Sequence, residues 1–183
     1  MRLSKSIAIA LGLALVAIPA VAQIKAMTLK ELMGVTTEAV DARIVAKSTF
    51  KMDWPTEGAV YTRLSIEGTS LRTQQPVKTD VVFLGSHDPA DQFGTSEMPN
   101  VQDTRVGSEA VIFFNGNDPQ VPGKLNRVFD LSCVYRVEQS FGAPVVMGKG
   151  EGAAFPENMK LDDVRTQVRT AHLELEAQAK AGK

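Results

Sequence analysis

The feature that most restricts the fold is a two-residue period of hydrophobicity that begins at Val40 and returns at Val60. Successive side chains of a strand point to opposite faces, so each run predicts a half-buried strand. The first covers residues 40–47, where only Val45 interrupts the polar face, and the second covers residues 60–67. The turn-like sequence DWPTEG separates them, which predicts an antiparallel hairpin whose strands each keep one face in water.

Two further segments are apolar without alternation, at residues 81–84 and 110–114. A continuous apolar run is typical of a strand covered on both faces, so these segments should form the centre of the fold. Residues 129–137 and 143–148 add two strands behind turn sequences such as NGNDPQVPG. Six short strands at irregular spacing predict a mainly β fold, a small OB-like antiparallel barrel or sandwich over about residues 38–152.

A helix is expected at each end of this sheet. Near the start, Thr28 can cap a helix, Glu31 can complete a capping box, and Gly34 can close it in left-handed geometry. Residues 161–180 predict a C-terminal amphipathic helix that packs on its own barrel, with a partner helix as the alternative. Its apolar positions recur at spacings of three and four: Leu161, Val164, Val168, Ala171 and Leu175.

The N-terminus has the pattern of a secretory signal peptide over residues 1–22. A basic start, MRLSK, precedes a charge-free apolar run that is too short for a bilayer, which needs roughly 20 apolar residues. Ala20 and Ala22 match the small-x-small pattern that predicts cleavage before Gln23. We therefore expect an exported protein, periplasmic or secreted, whose residues 23–183 form one domain with no transmembrane span after cleavage.

Charge and cysteine content exclude some functions. The chain has 20 basic and 21 acidic residues, and cleavage would remove Arg2 and Lys5 but no acid, leaving 18 against 21. This acidic balance argues against nucleic acid as a partner. Cys133 is the only cysteine, so no intrachain disulfide can form. Alternation in FDLSCVYRV places its thiol on the apolar face of a strand, as a small buried hydrophobic residue.

The segment GSHDPADQFGTSEMPN, residues 85–100, gathers His87, Asp88, Asp91 and Glu97. A solvated loop, a binding loop and a catalytic site are the three interpretations. Ser, His and Asp occur as neighbours here, whereas the members of a catalytic triad meet in space from separate positions. The acidic spacing differs from that of a calcium loop, and zinc prefers more histidine or cysteine ligands. We expect no metal and no cofactor, while the length of this connection keeps a binding role open.

Trp54, the only tryptophan, lies in the turn DWPTEG. It can cover an open end of the barrel, or it can anchor a ligand or partner from an exposed position.

The order of elements resembles a group of exported bacterial proteins of unknown function. The resemblance is carried by TLKELMG, EAVDARIVAKS, VYTRLSIEG, VGSEAVIFF, YRVEQSFGAPVV and the closing helix, and it covers about residues 28–175. The strand order is also similar to the OB-like barrel of netrin and tissue-inhibitor type domains. Those domains are rich in disulfides, whereas this chain has one cysteine, so the resemblance implies only a barrel topology. No catalytic residue carries over from either group.

These observations favour an exported, non-catalytic binding or interaction module of the cell envelope, with an unidentified protein or envelope ligand as its partner. Its candidate binding residues are His87, Asp88, Asp91, Glu97 and Trp54. One alternative is a small metal-assisted or hydrolytic enzyme that uses residues 85–100. Another is a structural envelope component that assembles through the C-terminal helix.

Overall fold

The computed structural model describes residues 26–91, 93–140 and 142–182. The expected signal peptide and its cleavage residues Ala20, Ala22 and Gln23 lie outside the described residues. Among the helices that are described, none is both long enough and apolar enough to cross a membrane.

Within this part of the chain, seven strands form one antiparallel sheet, which curves into a half-barrel. The strands are β1 (Glu38–Met52), β2 (Ala59–Ser70), β3 (Pro76–Leu84), β4 (Glu109–Phe114), β5 (Val134–Ser140), β6 (Ala143–Val146) and β7 (Met159–Lys160). Their order across the sheet is β3-β2-β1-β4-β5-β6-β7. A parallel bridge between Val82 of β3 and Arg127 draws the segment before β5 toward the far edge. The expected mainly antiparallel fold is confirmed, with seven strands instead of six.

Strand β1 contains a bulge just beyond its pairing with β4, which ends at Arg43. Its register with β2 shifts between Ile44 and Ala46, so Val45 is the additional residue. A bulge leaves one residue unpaired and increases the local twist. Val45 is 40% exposed, which explains why it interrupts the polar face in the sequence. Beyond the bulge the facing of β1 is inverted, and Lys47 lies opposite Leu64 of β2.

Of the two continuous apolar runs, residues 110–114 in β4 lie at the centre of the sheet, as predicted, whereas residues 81–84 lie in the edge strand β3, so the prediction of a central position is wrong for that run. All five residues from Ala110 to Phe114 of β4 are buried in the main core. In β3, Val81 and Phe83 join the same core, whereas Val82 is buried on the opposite face of the sheet. Both faces of the two apolar runs are therefore covered by protein.

The expectation that both hairpin strands keep one face in water is wrong at the turn end of the hairpin. Tyr61 and Ala59 are fully buried there, on the face opposite the main core. We call this second group the aromatic cluster, which contains Ala59, Tyr61, Val82, Phe50, Met52, Trp54, Leu84, Phe93 and Leu125. Phe93 and Leu125 come from the long connections after β3 and β4. These connections therefore cover the face of the hairpin that the sequence pattern predicted to be exposed to water.

The strand expected over residues 129–137 is shorter than predicted. A 3-10 helix occupies Leu131–Cys133, and β5 begins only at Val134. The cause is local, because the carboxylate of Asp130 accepts hydrogen bonds from the amide and hydroxyl of Ser132 at 2.7 and 2.8 Å. Cys133 is nevertheless fully buried, so its expected role as a small core residue is confirmed.

The first helix, α1 (Leu29–Val35), has the predicted capping box. The amide of Glu31 donates to the Thr28 hydroxyl at 3.2 Å, and the Thr28 amide donates to the Glu31 carboxylate at 2.8 Å. The prediction that Gly34 closes this helix is wrong. Gly34 lies inside the helix, and the C-cap is Thr36 in extended conformation, whose hydroxyl donates to the Leu32 carbonyl at 2.8 Å.

The last helix, α2 (Leu161–Ala181), packs against its own half-barrel, as predicted. Val164 and Val168 are fully buried, and Ala171 and Leu175 pack at the edge of the main core. Beyond Leu175 the described residues of the helix are exposed.

Candidate functional site

The segment 85–100 is fixed at both ends and exposed in its middle. At its start, the Thr62 hydroxyl donates to the Gly85 carbonyl at 2.7 Å, and the Ser86 amide donates to the Phe93 carbonyl at 2.9 Å. Near its end, Pro99 is buried. The segment is therefore a well-anchored connection with an exposed middle.

The three side chains with the residue types of a triad are occupied by backbone groups. His87 Nε2 lies 2.7 Å from the Pro99 carbonyl, and a carbonyl only accepts, so this nitrogen carries the hydrogen. The Ser86 hydroxyl accepts from the Asp88 amide at 3.0 Å, and the Asp88 carboxylate accepts from the Ala90 amide at 2.9 Å. These contacts give His87 and Asp88 a structural role in shaping the connection.

Asp91 closes the same turn through its backbone, since its amide donates to the Asp88 carbonyl at 3.1 Å. The residues described here contain no group of three or more histidine, cysteine, aspartate or glutamate side chains arranged to hold a metal ion.

Glu97 and Trp54 have a different location, because both line one cavity of about 180 Å³. We call it the aromatic pocket. Its walls are formed by Trp54, Pro55, Tyr61, Phe83, Leu84, Thr95, Glu97, Arg127, Val128 and Phe129. The structure thus brings together two of the five candidate binding residues, and the other three, His87, Asp88 and Asp91, do not line this pocket.

Trp54 is held in place by the turn between β1 and β2. The Trp54–Pro55 peptide is cis, and the Gly58 amide donates to the Asp53 carboxylate at 2.8 Å. The hydroxyl of Tyr61, on β2, donates to the Trp54 carbonyl at 2.8 Å, and the two rings stack with centroids 6.5 Å apart. Burial raises the pKa of Tyr61 to about 12.

Arg127, in the segment that bridges to Val82 of β3, completes the wall of the pocket. Its guanidinium carbon lies 5.7 Å from the centre of the Trp54 ring, within the range of a cation–π contact. Arg127 Nε is 3.3 Å from the carboxylate of Asp118, whose side chain is only 4% exposed. The charge of Arg127 is therefore balanced by a buried acid.

The stacking extends along the face of the sheet. The Phe50 and Tyr61 rings stack with centroids 5.6 Å apart, and the guanidinium of Arg63 lies 4.8 Å above Phe50. Together with Trp54 and Arg127 they form a row of rings closed at each end by a guanidinium. Such a row leaves little freedom to the Trp54 side chain, so the wall of the pocket is preorganised.

The charge at the rim of the pocket is set by Glu97. This side chain is exposed, and among the described residues it forms no salt bridge. The pocket therefore combines an apolar interior, a compensated cation and a carboxylate free to meet a partner.

Sequence reasoning identified Trp54 and Glu97 but missed Tyr61 and Arg127. Tyr61 shares its strand face with polar residues, and Arg127 lies in a turn-rich stretch without a pattern.

No family model, curated protein or solved structure matches this chain.

Proposed function

We propose that this protein is an exported, non-catalytic interaction module of the cell envelope, and that the aromatic pocket holds one side chain of a partner protein. The pattern of residues 1–22 supports export. The observation that carries the binding role is the meeting of Trp54 and Glu97, from two separate segments, in the walls of one preorganised pocket.

The size of the pocket favours a protein partner over a small-molecule ligand. Sites for small molecules have volumes of about 300–1,000 Å³, whereas this pocket has about 180 Å³. That volume suits a single apolar side chain. Tryptophan, tyrosine and arginine are also the residues that dominate the binding energy of protein interfaces, and all three line this pocket.

Glu97 determines which charge the partner should carry beside the apolar side chain that enters the pocket, which we call the anchor. A free carboxylate at the rim favours a partner that carries lysine or arginine beside its apolar side chain. Rim charges act mainly on association rate and on selectivity, so Glu97 would select among partners that share the same apolar anchor.

The geometry of residues 85–100 supports binding over the hydrolytic alternative. Ser86, His87 and Asp88 each bond to backbone groups, and these contacts hold the connection that carries Thr95 and Glu97. In this proposal His87 and Asp88 position the pocket wall and make no contact with the partner.

A displayed library of linear peptides tests the proposal, with the emission of Trp54 as the reporter. Because Trp54 is the only tryptophan, peptides without tryptophan that enter the pocket should shift its fluorescence. The selected peptides should share an apolar residue next to lysine or arginine. Their affinity should fall at least about tenfold in Thr95→Phe, which fills the pocket, and in Glu97→Lys, which reverses the rim charge.

Glu57→Lys is the matched control, because Glu57 is an exposed acid in the same turn as Trp54 but does not line the pocket. This variant should bind the selected peptides as the unmodified protein does. Peptides that bind equally well to Thr95→Phe and Glu97→Lys, or a library that yields no binder, would count against a pocket of this function.

A further inference from the structure

A second concavity lies on the other side of the 85–108 connection, where it approaches β1 and β5. We call it the basic groove. Its volume of about 720 Å³ falls within the range of small-molecule sites. It is lined by Lys47, Val101, Gln102, Thr104, Arg105, Val106, Ser108, Arg136, Val137 and Glu138.

Lys47 is turned into this groove by the bulge at Val45, which inverts the facing of β1 and pairs Lys47 with Leu64. The side chain is half-buried, and its Nζ donates to the Thr104 hydroxyl at 3.3 Å. Burial lowers the pKa of Lys47. Across the described ranges, no carboxylate forms a salt bridge with this ammonium group. An ammonium that has lost water and gained only a hydroxyl is poorly compensated, and a bound anion would compensate it.

The other charges of the groove are also mainly positive. Arg136 is fixed by the Gln102 side-chain oxygen at 2.6 Å and by the Glu138 carboxylate at 3.1 Å. Arg105 is exposed and, within the described part of the chain, has no salt-bridge partner. Three cations thus line the groove against one acid, Glu138, which Arg136 already neutralises.

The rim of the groove is apolar. Val101 is 56% exposed and Val106 is 51% exposed, and both lie on the connection that carries Arg105. Leaving two valines in water costs free energy that a ligand could recover by covering them. A ligand that fits this groove therefore needs both a negative charge and an apolar part.

We propose that the basic groove binds a small amphipathic anion, whose negatively charged headgroup contacts Lys47 and Arg105 and whose apolar part covers Val101 and Val106. The observations that carry this site are independent of the aromatic pocket, because the two concavities share no lining residue. The site can stand even where the proposed partner binding fails.

Calorimetric titration with three probes tests the proposal. Octyl phosphate has both parts, inorganic phosphate has only the charge, and octyl glucoside has only the chain. Octyl phosphate should bind with a stoichiometry of one and at least about tenfold more tightly than either other probe. Lys47→Gln and Arg105→Gln should each weaken it about tenfold, the size expected for one charge-assisted hydrogen bond.

Two variants serve as further tests. Lys51→Gln is the control, since Lys51 is an exposed lysine on the same strand that does not line the groove, and it should leave binding unchanged. Val101→Ser should weaken octyl phosphate but not inorganic phosphate. Arg105 is exposed, so Arg105→Gln keeps the test valid where thermal unfolding shows that Lys47→Gln has altered the fold.

Several outcomes would overturn the proposal. Equal affinity for octyl phosphate and octyl glucoside would mean that the negative charge does not contribute to binding. Equal affinity for octyl phosphate and inorganic phosphate would mean that the apolar chain does not contribute. Binding that survives both Lys47→Gln and Arg105→Gln would place the anion elsewhere. Attachment to vesicles of anionic phospholipid without any binding of free octyl phosphate would identify a membrane surface instead of a site for one molecule.

Discussion

The ion pair between Asp103 and Lys149 should be the polar contact whose loss destabilises the fold most. Lys149 Nζ lies 2.8 Å from the Asp103 carboxylate, and the two side chains are only 10% and 8% exposed for Asp103 and Lys149. Lys149 also donates to the Leu131 carbonyl at 2.7 Å and lies 5.5 Å above the Tyr135 ring. The pair therefore ties the 85–108 connection to the segment between β6 and β7.

Removing one member of a buried pair costs about 3–5 kcal/mol, because it leaves the other charge without compensation. Lys149→Met should cost this amount, since the described contacts give the Asp103 carboxylate no other side-chain partner. For a domain of this size each kcal/mol lowers Tm by about 2–4 °C, so Tm should fall by roughly 6–20 °C. Asp103→Asn should cost less, since Lys149 keeps the Leu131 carbonyl and the Tyr135 ring.

Urea unfolding of the two single variants and the double variant, followed by circular dichroism, measures these costs. The double variant Asp103→Asn, Lys149→Met should be more stable than Lys149→Met alone, because a neutral amide beside the introduced methionine carries no uncompensated charge. A loss below about 1 kcal/mol in Lys149→Met, or a double variant whose loss equals the sum of the single losses, would refute this reasoning.

Three further predictions concern the core. Burial raises the pKa of both tyrosines, Tyr61 and Tyr135, from 10.0 to about 12. As the pH rises from about 10 to 12, the tyrosines lose their protons in the unfolded chain before they do so in the folded protein, so the free energy of unfolding should fall. Tyrosinate absorbance at about pH 11 should therefore be weak until urea unfolds the protein. Burial likewise raises the pKa of Cys133 to about 12, so a thiol reagent at about pH 8 should label it only after unfolding. Val168→Ala, at a fully buried position of α2, should cost about 2 kcal/mol, whereas Leu173→Ala, at a position 57% exposed, should change stability by less than about 0.5 kcal/mol.

The parts of the fold that the sequence predicted well depend on neighbouring residues. The capping box of Thr28 and Glu31 joins positions three residues apart, and the central strand from Ala110 to Phe114 follows from an uninterrupted apolar run. The position of Val45 could also have predicted the bulge in β1. A single apolar residue on a polar face marks a bulge when the alternation resumes with the opposite facing beyond it.

Most of the missed parts depend on contacts between segments that are separated along the chain, and one, the late start of β5, has a local cause. Cys133 is buried as expected, but the Asp130 carboxylate changes the local backbone and delays the strand. His87 bonds to the carbonyl of Pro99, which no residue pattern reports. Arg127 reaches Trp54 only because the sheet curves far enough to bring the segment before β5 to β3.

One connection supplies walls to both proposed sites, which makes their independence testable. Its earlier part carries Thr95 and Glu97 to the aromatic pocket, and its later part, residues 101–108, forms one side of the basic groove. The earlier part is held by its own contacts to Thr62 and between His87 and Pro99, whereas the Asp103 side chain is held by Lys149. Breaking the Asp103–Lys149 ion pair should therefore weaken octyl phosphate binding more than it weakens the binding of peptides in the aromatic pocket. Equal losses at the two sites would mean that the connection moves as one unit and that the sites are coupled through it.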